Sequence, residues 1–217
     1  MRRLWMKLGV VALTLGTFGG LATPSVASAK AKPRFKTADL TRYYKSAKTK
    51  TAFHIASLTD GKKTQPYVIL GDFDKAINVQ HGILQGKGKV SKNGRTLTFK
   101  YKLVTYKTAN QKTVQSLSKK VYTFKLTKKS ATKFTAYLTK GTNRRLATKG
   151  TKVTYTQTKT SPAQSYMNKY GKSRIDAYSK TVAAQNAKQN NWTTAQEAQV
   201  ATQISDQLSS TLVKMFY

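Results

Sequence analysis

From Thr96 to Leu103 the chain alternates strictly: Leu97, Phe99, Tyr101 and Leu103 share one parity, Thr96, Thr98, Lys100 and Lys102 the other. Successive side chains of a β-strand point to opposite faces, so this segment is satisfied as a strand with one face in a core and one in water. The pattern recurs. Tyr122, Phe124 and Leu126 alternate with Lys125 and Thr127; Phe134, Ala136 and Leu138 follow, and Val153, Tyr155 and Gln157 close the series. Earlier in the chain, Phe53, Ile55 and Ser57 alternate with His54, Ala56 and Leu58, and Asp60-Gly61 marks a turn. Tyr67 to Phe73 is a nearly continuous apolar run, as expected of a strand covered on both sides or of a barrel stave. Ile77, Val79, His81 and Ile83 share a face, and Asn93-Gly94 between Val90 and Leu97 is the strongest hairpin signal in the chain.

About seven strands separated by turns predict an antiparallel meander. Residues 107–118, polar throughout, are expected to form a flexible hairpin loop. An open sheet of this size exposes two edges, so closure into a small barrel or a tightly coiled sheet is the expected solution. By strand count and spacing it resembles the lipocalin-like up-and-down barrels, although no Gly-x-Trp signature lies near the first strand. That resemblance implies a ligand pocket inside the barrel.

The ends have a different character. Arg2, Arg3 and Lys7 precede an apolar run from Leu8 to Ala22, and Val26-Ala27-Ser28-Ala29 presents the small residues of a cleavage site. Residues 1–29 therefore read as a secretory signal peptide cut after Ala29. No cysteine follows, which excludes a lipid-anchored lipoprotein, a disulfide scaffold and thiolate metal sites. Residues 30–52 read as a basic leader and a short helix capped by Thr37 and carrying Leu40, Tyr43, Tyr44 and Ala47; residues 53–160 read as the antiparallel β domain. Residues 161–217 read as a helical hairpin packed on it or appended to it. Ser161-Pro162-Ala163-Gln164 and Thr194-Ala195-Gln196-Glu197 each have the form of a capping box, Asn186 to Asn191 is a polar break, and Val200, Ile204, Leu208 and Leu212 form an apolar stripe. The fold class is α+β.

Charge then narrows the function. Between Asp74 and Asp176 there is no carboxylate side chain, against 24 Lys and Arg residues. A surface of one sign repels itself and is tolerated when a polyanion or dense counterions screen it. The same gap removes the groups that acid–base catalysis, Mg²⁺ or Ca²⁺ binding and glycoside hydrolysis need. Residues 30–160 carry 31 basic and 4 acidic side chains, residues 161–217 only 6 and 3, so the sheet is the electrostatic module. Lys outnumbers Arg 32 to 8. A hydrated point charge suits diffuse attraction to a polymer better than bidentate phosphate reading, which disfavours nucleic acid as the partner.

Particular motifs add little chemistry. Asp72 and Asp74 stand two apart near His81 and could grip a cation, but read more simply as partners for local lysines. His54 and His81 are the only imidazoles, and there is no Gly-x-Ser-x-Gly elbow. Gly86-Lys87-Gly88-Lys89 lacks the spacing of a phosphate-cradling loop. Tyr106 and Tyr137 fall on the lysine parity and are candidates for exposed, sugar-contacting rings.

The signal peptide, lysine excess, absent cysteine and Thr/Lys/Tyr-rich strands together resemble small secreted cell-envelope proteins of lactic acid bacteria. The expectation is a secreted, cell-wall-associated, non-enzymatic protein with no cofactor and no metal. It would bind anionic cell-wall polymers, teichoic-acid-like or acidic polysaccharide, through Lys100, Lys102, Lys119, Lys120, Lys125, Lys128, Lys129, Arg144 and Arg145. A small-ligand module of the lipocalin kind is the first alternative. A secreted antimicrobial or membrane-active protein that touches a membrane through its last helix without spanning it is the second. With seven carboxylates and two histidines able to titrate, folding is expected to vary little from neutral to mildly acidic pH.

Overall fold

The computed structural model describes residues 32–60, 63–74, 77–109, 112–140 and 152–217. Residues 1–29, expected to be the signal peptide, and Arg144 and Arg145 lie outside them, as does the side chain of Tyr137. In chain order the elements are α1 (Thr37–Leu40), β1 (Tyr43–Ser46), β2 (Thr51–Asp60), β3 (Lys63–Asp72), β4 (Asn78–Leu84), β5 (Lys89–Val90), β6 (Thr96–Ala109), β7 (Lys112–Lys128), β8 (Lys133–Lys140) and β9 (Val153–Thr158). Then come α2 (Ala163–Tyr166), a π-helical turn (Met167–Gly171), α3 (Lys172–Asn190) and α4 (Thr194–Phe216).

The sheet is wholly antiparallel in the order β4-β3-β2-β1-β9-β8-β7-β6-β5, and pairing of β4 with β6 closes it into a barrel of eight strands, with the two-residue β5 attached to β6. Closure leaves no long exposed edge in the ring, which is the reason a meander of this size closes. The stave missing from the predicted set is β1. Helical spacing puts Tyr43 and Tyr44 on one helix with Leu40; α1 instead ends after four residues, with Lys36 rather than Thr37 at its cap position, and Tyr43–Ser46 pairs with both β2 and β9. The pull is aromatic. Tyr44 stacks on Phe53 with ring centroids 4.7 Å apart and meets Phe134 edge-on at 4.9 Å.

The barrel interior is packed with side chains. Tyr44, Phe53, Tyr101, Phe124, Phe134 and Tyr155 are each at most 1% exposed, and Leu70, Leu97 and Leu126 fill between them. Gly82 on β4 is required by this packing, because a Cβ there would sit 2.5 Å from the Tyr101 ring. The Asn93-Gly94 turn forms as expected: Ser91 N–H donates to the Thr96 carbonyl at 2.8 Å, and Gly94 holds φ +71.

A second apolar layer lies outside the ring. Ala52, Ile69, Phe73 and Val79 on the β2–β4 side pack against Ala163, Tyr166, Met167, Ile175, Val213 and Phe216. This is why Tyr67 to Phe73 reads as continuously apolar: Val68 and Leu70 face the interior and Ile69 faces the helices. The helical ends differ in detail from expectation. α2 starts at Ala163, after Pro162, and Ser161 Oγ accepts from Ala163 N–H at 3.3 Å without closing a capping box. The cap of α4 is Thr193, one residue earlier than the sequence suggests. Its hydroxyl accepts from Gln196 N–H while its own N–H donates to Gln196 Oε1 at 2.8 Å. The expected break at 186–191 is helical up to Asn190, and Asn191 ends the helix in the left-handed region. The buried line of α4 is Ala201, Ser205, Ser209, Val213 and Phe216, with the predicted apolar stripe half-buried beside it. It packs along Ile175, Ser179, Ala183 and Ala187 of α3, and small residues on both sides allow close approach.

Residues 107–118, expected as a loop, are largely strand. β6 and β7 continue as a paired ribbon through Thr105 opposite Ser116 and Ala109 opposite Lys112. Thr105 Oγ1 lies 2.8 Å from Ser116 Oγ, so the polar residues that suggest a loop supply cross-strand hydrogen bonds instead.

Candidate functional site

The outer face of the barrel divides into two parts. Around β2 to β4 it is covered by the helices. On β5 to β9 the outward parity is mostly Thr and Lys. Lys89 of β5 stands opposite Thr98, and Thr98 opposite Lys125, so one row crosses three strands in about 10 Å. Lys100 and Lys102 follow on the same face, opposite Thr123 and Val121 and roughly 7 Å apart along the strand. Lys45, Thr156 and Lys133 form another row on β1, β9 and β8. Lys100 and Lys133 are exposed, and Lys45, Lys102 and Lys125 are partly exposed.

Lys119 and Lys120 are placed by a bulge. Lys102 pairs with Val121 but Val104 pairs with Leu117, so three residues of β7 oppose Leu103. Ser118 Oγ accepts from Leu103 N–H at 3.0 Å and donates to the Lys120 carbonyl at 2.9 Å, which holds the bulge, and Lys120 Nζ lies 5.4 Å from the Tyr122 ring centre. Both lysines are exposed, as is Lys129 at the β7–β8 turn.

Lys128 departs from the expected set. It shares the inward parity of Phe124 and Leu126, is 5% exposed, and bonds Asp39 Oδ2 at 2.7 Å with its ammonium 5.5 Å from the Phe134 ring centre. It closes the barrel end and is not part of the surface. The other acids described are also engaged or distant from the lysine wall. Asp74 faces Lys50 at 3.1 Å and Arg174 at 3.4 Å, and its N–H donates to Asp72 Oδ1. Asp176 and Asp206 flank Lys172 on the helices. Asp74 is thus paired with local cations, while Asp72 accepts from the Asp74 backbone at the end of β3.

Both histidines serve a purpose that the sequence does not announce. His54 Nε2 lies 2.6 Å from the Phe216 carbonyl and His81 Nε2 lies 2.8 Å from that of Met215. A carbonyl only accepts, so each ring nitrogen donates, and together they satisfy two terminal carbonyls of α4. Burial pushes the His54 imidazole down to about 4, opposed by its bond to Phe216. The signal in the sequence is slight: both histidines lie on outward parities of apolar strands.

One cluster resembles a Ser–Lys nucleophile. Lys172 Nζ lies 2.7 Å from Ser205 Oγ, and that hydroxyl donates to Asp176. The Asp176 bond raises the Lys172 ammonium above its usual range, so it holds its proton, and Ser205 in turn keeps Asp176 low. A protonated lysine is no general base, and the arrangement is a helix–helix tie. Nearby, a groove of about 450 Å³ is lined by Ile77, Arg174, Ile175, Tyr178, Leu208 and Leu212. Among the described residues no group of three or more His, Cys, Asp or Glu is placed to hold a metal, and no helix is long and apolar enough to cross a membrane.

Comparison with protein-family models, curated proteins and solved structures finds no match to this chain.

Proposed function

We propose that this protein is a secreted, non-enzymatic surface protein that holds to anionic cell-wall polymers through the outer wall of β5 to β9. The observation that supports this most is the partition of charge. That wall presents lysine rows and the bulge lysines with no carboxylate on any of its strands, while the described acids lie at the barrel end or on the helical side. Spaced ammonium groups on a rigid sheet bind a flexible polyphosphate or acidic polysaccharide by counterion release, without stereospecific pockets. The sequential eight-strand ring supports a lipocalin-like architecture, but its ring-filled interior favours binding on the outside over a ligand inside. The small-ligand alternative keeps one specific observation in its favour, the apolar groove beside Tyr178 and Leu208.

The test is release by salt. Intact cells carrying the protein are washed with rising NaCl and the supernatant is assayed. Release is expected well below ~1 M, where the Debye length is about 3 Å; undiminished retention at that concentration overturns electrostatic attachment.

A further inference from the structure

Beyond Val104 and Leu117 the strands β6 and β7 leave the barrel: β4 pairs with β6 only up to Leu103, and β8 pairs with β7 only from Thr123 onward. The described part of this arm is apolar where the rest of the wall is cationic. Tyr106 is 55% exposed, Val114 62% and Leu117 42%, half of the exposed large hydrophobics among the described residues. The register puts Val104 opposite Leu117 and Tyr106 opposite Gln115, so Val104, Tyr106 and Leu117 form one face. No charged residue falls in 103–106 or 113–118, yet Lys100, Lys102, Lys119 and Lys120 precede or follow these segments at the base, and in sequence Lys107 and Lys112 bound them on the other side.

An apolar band between two lysine sets has a specific complement. Sugars stack on aromatic faces, but aliphatic side chains such as Val104 and Leu117, which share the face of Tyr106, gain little from a polysaccharide. They gain from acyl chains, while a tyrosine ring suits the headgroup level and lysines beside it reach lipid phosphates. We propose that the β6–β7 arm is a membrane-docking element. It lies in the interface of an anionic lipid bilayer with Val104, Tyr106 and Leu117 toward the acyl region, and the base lysines contact the headgroups. The bulge at Ser118–Lys120 supports this by fixing the lysines at the root of the apolar face.

The experiment uses the full mature chain and vesicles of phosphatidylcholine with ~30% phosphatidylglycerol, compared with phosphatidylcholine alone, in flotation assays. The wild type is expected to float with the anionic vesicles, and Tyr106→Ser/Leu117→Ser to bind them about tenfold more weakly. Binding of both proteins to polyphosphate, measured in parallel, is expected to agree within about twofold, which separates this inference from the polymer-binding reading. As a direct probe, the Tyr106→Trp variant should shift its emission to shorter wavelength on the anionic vesicles, once the wild-type signal from Trp192 is subtracted. Equal flotation of wild type and double variant, or an unshifted emission spectrum of the Tyr106→Trp variant, overturns the proposal. So does loss of polymer binding without loss of vesicle binding, which would make the arm a polysaccharide contact.

Discussion

Lys128 and Asp39 meet at 2.7 Å with side chains only 6% and 7% exposed, 89 residues apart in the chain. The Asp39 carboxylate is completed by Lys36 N–H at 2.8 Å and Gln157 Nε2 at 3.0 Å, while its carbonyl accepts from Tyr44 Oη. Removing one partner of such a pair strands a buried charge. Lys128→Met is expected to lower unfolding free energy by roughly 3–5 kcal/mol while Lys128→Met/Asp39→Leu recovers much of it, as read by urea titration. Polymer binding of the folded single variant should stay near wild type; a large loss would return Lys128 to the surface.

The opposite behaviour is expected of the wall lysines. Lys100→Gln/Lys102→Gln/Lys125→Gln should leave stability within about 1 kcal/mol, because Lys100 is exposed, Lys102 and Lys125 are partly exposed, and charged side chains so placed contribute little to the fold. Affinity for polyphosphate should fall, and the slope of log K against log salt should lessen by roughly one per lysine removed. A slope unchanged by the triple substitution would place the binding surface elsewhere.

Acid should weaken the fold sooner than the carboxylate count implies. His54 titrates at about 4 when folded against 6.5 ordinarily, so protons bind the unfolded chain preferentially. Its contribution is complete above 6.5, declines as pH falls below that, and is lost near 4, a difference of roughly 3 kcal/mol. Asp176, also held low, gives way only at still lower pH. Urea midpoints from pH 7.5 to 4 should therefore fall, and His54→Gln, which retains an N–H donor for the Phe216 carbonyl, should flatten the curve. Coincident profiles for the two proteins would show that His54 is not the group responsible.

Phe216 anchors the last helix. It is fully buried between Phe73, with centroids 5.6 Å apart, and His54 at 5.1 Å. Phe216→Ala should cost roughly 3–5 kcal/mol by transfer and cavity together. Amide exchange should then show the C-terminal turn of α4 opening first; uniform protection along α4 would argue against the anchor.

The amino-acid sequence alone determined the staves. In and out alternate with period two on residues 53–58, 96–103 and 122–126, and the apolar run at 67–73 already marks a strand covered on both faces. The lysine wall was legible for the same reason, since an outward parity is a local property. Lys128 obeys that rule too, being on the parity of Phe124 and Leu126, and only the absence of a visible partner made it look like surface.

What tertiary structure decided are relationships between distant segments. Ring closure recruits Tyr43–Ser46 from its helical reading and brings Asp39 to Lys128, because the free edges of β2 and β9 are satisfied there. Docking of α4 turns His54 from an outward strand residue into a buried cap, and that burial pushes its imidazole down. The ribbon of β6 and β7 was hidden because its stabilising hydrogen bonds run between polar side chains that, read singly, signal a loop. Periodicity reports which way a side chain points; which surface then covers it depends on contacts across the chain that no local pattern contains.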